Sequence, residues 1–111
     1  MSALQGDSAP IPPAGRLVGY ARVSTADQNT SLQRDALLGA GCTRLFVDKD
    51  ASGANRARPA LTKALRYLRA GDTLIVWKLD RLARSLQDLL DIAGDLQGRG
   101  IAFESLTEKL D

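Results

Sequence analysis

The sequence predicts an α/β domain, a mostly parallel sheet of about four strands with helices on both faces. Short runs typical of β-strands alternate three times with stretches whose apolar residues recur at helical spacing. The run "TLIVW" at 73–77 is continuously apolar, as expected for a strand that is covered on both sides. Right-handed crossovers between such strands place them side by side and parallel.

The predicted strands are 16–23, 44–48, 73–77 and 101–106. The first helix has an apolar side made of Leu32, Leu37 and Leu38, and the glycines at 39–41 end it. Pro59 suits the first turn of the second helix, which stops at Gly71. The third helix is predicted at about 85–97, with an apolar side made of Leu86, Leu89, Leu90, Ala93 and Leu96.

Composition narrows the possible functions. A length of 111 residues, with 44% hydrophobic and 25% charged residues, is that of one ordinary soluble domain. Cys42 is the only cysteine, so an internal disulfide is excluded, and we expect a buried, small apolar side chain there. The chain has no histidine, which excludes the enzyme classes that depend on one as a general base or zinc ligand.

Charge is distributed unevenly along the chain. Residues 16–84 carry 13 Lys and Arg against 6 Asp and Glu, whereas residues 85–111 carry 2 against 6. A basic surface of this kind favours a polyanionic partner such as DNA, although an uneven solvated surface explains the count equally well.

The first 15 residues are rich in proline and glycine and almost uncharged, which predicts a flexible extension ahead of a single domain at 16–111. They lack the pattern of a signal peptide, and no stretch approaches the roughly 20 apolar residues of a membrane span. We therefore expect a soluble, cytoplasmic protein with no membrane partner.

Polar side chains collect where three predicted strands end. Alternate residues of a strand share a face, so Tyr20, Arg22 and Ser24 stand in one row. Asp48 closes the second strand, and Lys78, Asp80 and Arg81 follow the third. Because ligands bind beyond the carboxyl ends of parallel strands, we expect these residues to form a site.

The stretch "KLDRLARS" at 78–85 gains an order of its own if a helix begins near Asp80, ahead of the helix predicted at about 85–97. A carboxylate is favoured at that end, and Arg81 and Arg84 would share one helix face. The alternative to a functional site is an ordinary structural role, in which Asp80 only caps the helix and the two arginines are only solvated.

One serine among several arginines fits phosphoryl transfer to a hydroxyl. Fixed cationic donors stabilise the charge that develops on the phosphate oxygens, and arginine binds those oxygens bidentately. Serine must lose its proton to an acceptor. Asp80, Asp48, Tyr20 and a neighbouring arginine are all candidates.

Four stretches in order resemble the catalytic domain of the serine recombinases, the resolvase and invertase family. They are "YARVSTADQ", "DKDASGANRARPAL", "WKLDRLARS" and "SLTEKLD", and the similarity covers residues 16–111. The resemblance implies that Ser24 attacks a DNA phosphodiester, which leaves a 5′-phosphoserine link and a free 3′-hydroxyl. It implies no cofactor, since the covalent link conserves the energy of the broken bond.

The resemblance also implies roles for the residues around Ser24. The residues that would hold the phosphate and neutralise the transition state are Arg22, Arg58, Arg81 and Arg84. Asp80 would orient these arginines or take part in proton transfer. Tyr20, Gln28 and Gln33 match supporting positions. Ordinary structural roles compete with each assignment: a core aromatic for Tyr20, surface helix residues for the glutamines, a solvated loop residue for Arg58, and a strand-end residue bonded to loop amides for Asp48.

Chains of this family normally continue into a long helix that pairs subunits and then into a DNA-binding domain. This sequence ends at Asp111, so we expect a fragment that is monomeric or weakly associating and poorly active alone, whereas the full protein forms dimers or tetramers. A receiver-type domain and a cysteine phosphatase fit poorly, because the acidic cluster of the first and the arginine of the second are missing. The serious alternative is a non-catalytic module that binds nucleic acid or protein.

Overall fold

The structure is a computed structural model that describes residues 15–24, 31–50 and 57–108. The strands are β1 (Leu17–Ser24), β2 (Arg44–Asp50), β3 (Thr73–Val76) and β4 (Ala102–Ser105). The α-helices are α1 (Ser31–Gly39), α2 (Pro59–Tyr67) and α3 (Leu86–Gly98). A 3₁₀ turn at Leu79–Arg81, called here the 79–81 turn, lies between β3 and α3.

The strands of the described chain form one four-stranded parallel sheet in the order β2-β1-β3-β4. One core lies between the sheet and helices α2 and α3, with Tyr20, Leu74 and Leu96 at its centre. Another, around Ala21 and Leu37, lies between the sheet and α1. The predicted α/β fold with helices on both faces is thus confirmed.

The register of β1 positions its polar end. It pairs with β2 along its whole length, to Ser24 opposite Asp50. Its pairing with β3 stops at Tyr20 opposite Val76. The last four residues of β1 therefore project past β3, and Arg22 and Ser24 lie on this projection.

The predicted helix beginning near Asp80 is wrong. Asp80 lies inside the 79–81 turn with a side chain that is 75% exposed, and α3 begins only at Leu86. Ser85 caps α3, because its Oγ accepts a hydrogen bond from the Asp88 amide at 3.0 Å. A serine followed three residues later by an acid is a stronger start signal than Asp80. Arg81 and Arg84 consequently do not share a helix face.

The predicted apolar sides of α1 and α3 are partly wrong. Leu86 and Leu90 are 71% and 55% exposed, and α3 instead packs through Leu89, Ile92 and Leu96. In α1 the buried residues are Gln33 and Leu37, whereas Leu32 and Leu38 are exposed. Each helix buries one narrow stripe, since each covers only part of a small sheet.

Several other predictions can be located on the structure. Cys42 is buried, as predicted, and burial raises the pKa of its thiol. The flexible extension predicted at 1–15 lies outside the described residues except for Gly15, and so does Gln28. Within the described ranges, no helix is long and apolar enough to cross a membrane.

Candidate active site

Tyr20 and Asp48 form a buried hydrogen-bonded pair beneath the projecting end of β1. The Tyr20 hydroxyl donates to Asp48 Oδ2 at 2.7 Å, and Tyr20 is fully buried. Asp48 also accepts the amides of Ala60 at 2.8 Å and Leu61 at 3.1 Å, in the first turn of α2. Burial, together with the adjacent Asp48 carboxylate, raises the pKa of the Tyr20 hydroxyl. The phenol therefore keeps its proton at neutral pH and donates a hydrogen bond to Asp48.

Arg22 reaches from β1 to the 79–81 turn. One terminal nitrogen, Nη2, donates to the backbone carbonyl of Asp80. Its buried Nε makes no hydrogen bond to any of the described residues. From α1, the buried Gln33 donates through Nε2 to the Arg22 carbonyl at 3.0 Å. Gln33 thus fixes the backbone that carries Arg22.

Arg58, just ahead of α2, is held by the start of α3. Its Nη1 and Nη2 donate to the two carboxylate oxygens of Asp88 at 2.8 and 3.1 Å, and Nη1 also donates to the Leu82 carbonyl at 3.0 Å. This bidentate pair lowers the pKa of Asp88 and raises that of Arg58. The guanidinium is oriented rather than loosely solvated.

Three charged side chains of the described residues hold the backbone of the 79–81 turn and of Leu82, the residue that follows it. Arg22 binds the Asp80 carbonyl, and Arg58 binds the Leu82 carbonyl. Glu108, beyond β4, accepts the Leu79 amide at 2.8 Å. Leu82 anchors the segment in the core, where it is fully buried. A segment outside any sheet is thereby fixed at four points.

The carboxylate and guanidinium that the turn presents lie near each other. Arg81 Nε is 3.9 Å from Asp80 Oδ1, which is an ion pair without hydrogen-bond geometry. Arg84 is exposed, and its backbone amide donates to Asp88 at 3.0 Å. Asp80, Arg84 and Leu86 are among the residues that line an open groove of about 220 Å³ beside the turn.

The structure brings Arg22, Arg58, Asp80 and Arg81 to one segment, and it places Ser24 two residues beyond Arg22 on β1. Tyr20 lies deeper, in the core. Sequence reasoning did not single out Asp88 or Glu108, which hold Arg58 and Leu79. For Asp88 a signal existed in the Ser85-to-Asp88 capping spacing, whereas the contact of Glu108 depends on strand order.

The amino-acid sequence of the chain matches the model of a known protein family. The model for the N-terminal domain of resolvases matches residues 17–111. The chain belongs to the resolvase family.

Two named proteins illustrate what this chain is similar to in sequence. This resolvase domain is 57% identical over 95 residues to a serine recombinase, gin, of Escherichia phage Mu, which covers 86% of the chain and 49% of that protein. It is 52% identical over 94 residues to the DNA-invertase hin of Salmonella typhimurium, which covers 85% of the chain and 49% of that protein. The chain spans about half the length of these curated relatives.

A solved structure shows the same fold. The crystal structure of a serine recombinase from Sulfolobus solfataricus superimposes with a TM-score of 0.68 at 22% identity. The match covers 87% of this resolvase domain and 71% of that chain.

Proposed function

We propose that this domain carries the catalytic centre of a site-specific DNA recombinase and that Ser24 is its nucleophile. The observation that carries the proposal is the meeting of Arg22, Arg58 and Arg81 at one segment beside the end of β1. Family membership supports it, since the named relatives are serine recombinases and DNA-invertases.

In the proposed reaction, Ser24 Oγ attacks the phosphorus of a DNA phosphodiester. The Oγ–P bond forms and the P–O3′ bond breaks, so the DNA is left with a 5′-phosphoserine link and a free 3′-hydroxyl. The serine proton goes to an acceptor of the site, and the departing 3′ oxygen takes up a proton. Attack by a 3′-hydroxyl on the phosphoserine reverses the sequence and rejoins a strand without ATP.

The arginines supply the electrostatic part of catalysis. Guanidiniums bind phosphate oxygens bidentately and stay charged, and charge builds on those oxygens in the transition state. Arg22 now donates to the Asp80 carbonyl, and a DNA phosphate would replace this weaker acceptor. Arg58, whose guanidinium is also paired with Asp88, would turn to the phosphate the donor that now serves the Leu82 carbonyl. Arg81 and Arg84 would contact the same phosphate from the turn and the groove.

The geometry narrows the choice of proton acceptor. Tyr20 keeps its own proton, and the Asp48 carboxylate already accepts three hydrogen bonds from Tyr20, Ala60 and Leu61. Neither is suited to take a proton from Ser24. The exposed Asp80 carboxylate and a neighbouring arginine stay as candidates.

The same proposal extends to the partners and setting of the protein. DNA is the partner, and a longer protein that contains this domain would assemble as a dimer or tetramer, since strand exchange needs several cut ends at once. Such a protein would work in the cytoplasm, at the nucleoid or on a mobile element.

The test replaces the matching 95 residues of the phage Mu recombinase with residues 17–111 of this chain and supplies that recombinase's own DNA site. After a denaturing quench, we expect a protein–DNA adduct that resists SDS and that Ser24→Ala abolishes. Ser31→Ala, at the exposed start of α1, is the matched control and should keep the adduct. An adduct that persists in Ser24→Ala would contradict the proposal, and a chimera that binds the site without an adduct would favour a non-catalytic binding module.

A further inference from the structure

Glu108 lies three residues beyond β4, at the carboxyl edge of the sheet. One of its oxygens, Oε1, accepts three hydrogen bonds: from the Leu79 amide at 2.8 Å, the Ser105 hydroxyl at 2.9 Å and the Thr107 hydroxyl at 3.3 Å. The Glu108 amide donates back to Ser105 Oγ at 3.4 Å. The carboxylate is thus oriented by its own segment and aimed at the first amide of the 79–81 turn.

The contacts that hold the 79–81 turn differ in how a phosphate would affect them. Arg22 and Arg58 hold it through guanidinium donors to backbone carbonyls, and a bound phosphate competes with those carbonyls. The pair of Arg58 with Asp88 is to α3 and does not hold the turn. Glu108 holds it through a carboxylate, which a phosphate repels. Of these three side chains, only Glu108 keeps its hydrogen bond to the turn when the arginines bind a DNA phosphate.

We propose that Glu108 is a positioning residue that keeps the 79–81 turn, and with it Arg81, in place while the arginines bind phosphate. This inference rests on the proposed function. Glu108 itself touches no phosphate and acts through the Leu79 amide. The contact with that amide lowers the pKa of the Glu108 carboxyl, so the acceptor is ionised at neutral pH.

The experiment uses the 111-residue chain and inorganic phosphate as the probe. Hydrogen exchange of the Leu79 amide reports the turn, and the NMR signal of the Arg81 Nε–H group reports phosphate binding. Glu108→Ala and Glu108→Asp remove the acceptor or shorten its reach, whereas Glu108→Gln keeps an oxygen in place. Glu104→Ala, an exposed acid on β4, is the matched control.

We expect Leu79 exchange to become about tenfold faster in Glu108→Ala and Glu108→Asp, as loss of the hydrogen bond to the Leu79 amide implies. Phosphate affinity at Arg81 should fall several-fold in the same variants. Glu108→Gln should restore both readouts, and Glu104→Ala should change neither.

Wild-type exchange at Leu79, or wild-type phosphate affinity, in Glu108→Ala and Glu108→Asp would overturn the inference. Failure of the proposed function has a different signature: the Ser24→Ala chimera would keep its adduct while Leu79 exchange still followed the expected pattern.

Discussion

At the scale of single residues, the hydrogen bond between Tyr20 and Asp48 gives Tyr20 a structural role. Removing the Tyr20 hydroxyl shows whether it also has a role in the chemistry. Tyr20→Phe removes one of the three donors to a buried carboxylate, so we expect the free energy of unfolding to fall by about 1–2 kcal/mol. Since the phenol keeps its proton, adduct formation by the chimera should change by less than about tenfold. Chemical denaturation and the trapping assay measure the two effects.

An adduct lost as completely in Tyr20→Phe as in Ser24→Ala, at retained stability, would show that the phenol takes part in proton transfer. Phe46→Leu, a volume change in the same core, is the control for packing alone. It should lower stability without affecting the trapped product.

Residues of one strand could be predicted from sequence because alternation fixes their side. Arg22 and Ser24 were predicted in this way to lie on the polar end of β1, and both lie past the end of β3. Contacts between distant segments could not be found. Glu108 meets Leu79 only because β4 lies beside β3. In the sequence, Glu108 belongs to the stretch "SLTEKLD", and nothing in that stretch indicates which residue its side chain contacts. The ion pair between Arg58 and Asp88 was also not predicted, because these two residues lie far apart in the sequence.

At the scale of elements, Gly19 allows side chains of β2 and α1 to pack closely against β1. A Cβ there would lie 2.6 Å from Leu45 Cδ2, 3.1 Å from Cys42 Sγ and 3.3 Å from Leu37 Cδ1. We expect Gly19→Ala to destabilise the fold by about 1–3 kcal/mol through overpacking. Thermal or chemical unfolding measures this change.

Gly94 supplies the matched comparison. It lies within α3, and a Cβ there would meet nothing within 4 Å. Gly94→Ala should therefore stabilise the protein by about 0.5–1 kcal/mol, the helix propensity difference. Equal effects of the two substitutions would contradict the packing described for β1 and α1.

Helices and strands could be predicted where the apolar residues recur regularly over a long stretch. The prediction was poorest at residues 78–85. There the apolar and basic pattern continues smoothly, yet the chain makes a turn before α3 begins at Leu86. Ser85 caps α3 and so fixes where the helix begins, and Leu82 is buried in the core. Tertiary burial thus overrode a local helical pattern.

At the scale of the whole molecule, Asp72 ties the amino ends of the strands together. It is fully buried, pairs with the Arg16 guanidinium at 2.7 Å and accepts the amides of Arg16 and Arg69. Burial alone would raise its pKa, but these hydrogen bonds outweigh burial and lower the pKa. A carboxyl with a lowered folded pKa stabilises the protein above its ordinary pKa and loses that contribution as pH falls through the lowered value.

We therefore expect Asp72→Asn to reduce the free energy of unfolding by about 3 kcal/mol at neutral pH, as for a broken buried pair. The difference from wild type should shrink in acid, below the ordinary aspartate pKa of about 4. Denaturation at several pH values measures it, and Asp35→Asn, an exposed acid of α1, should follow wild type throughout. A difference that stays constant with pH would rule out the ionic role of Asp72.

The central claim, that guanidiniums gathered beside β1 activate one serine toward DNA phosphorus, is tested most directly by locating the covalent bond. Adduct from the chimera is digested with protease and nuclease, and the nucleotide-bearing peptide is sequenced by mass spectrometry. We expect a 5′-phosphate ester on Ser24. A link to any other residue, or through a 3′-phosphate, would contradict it.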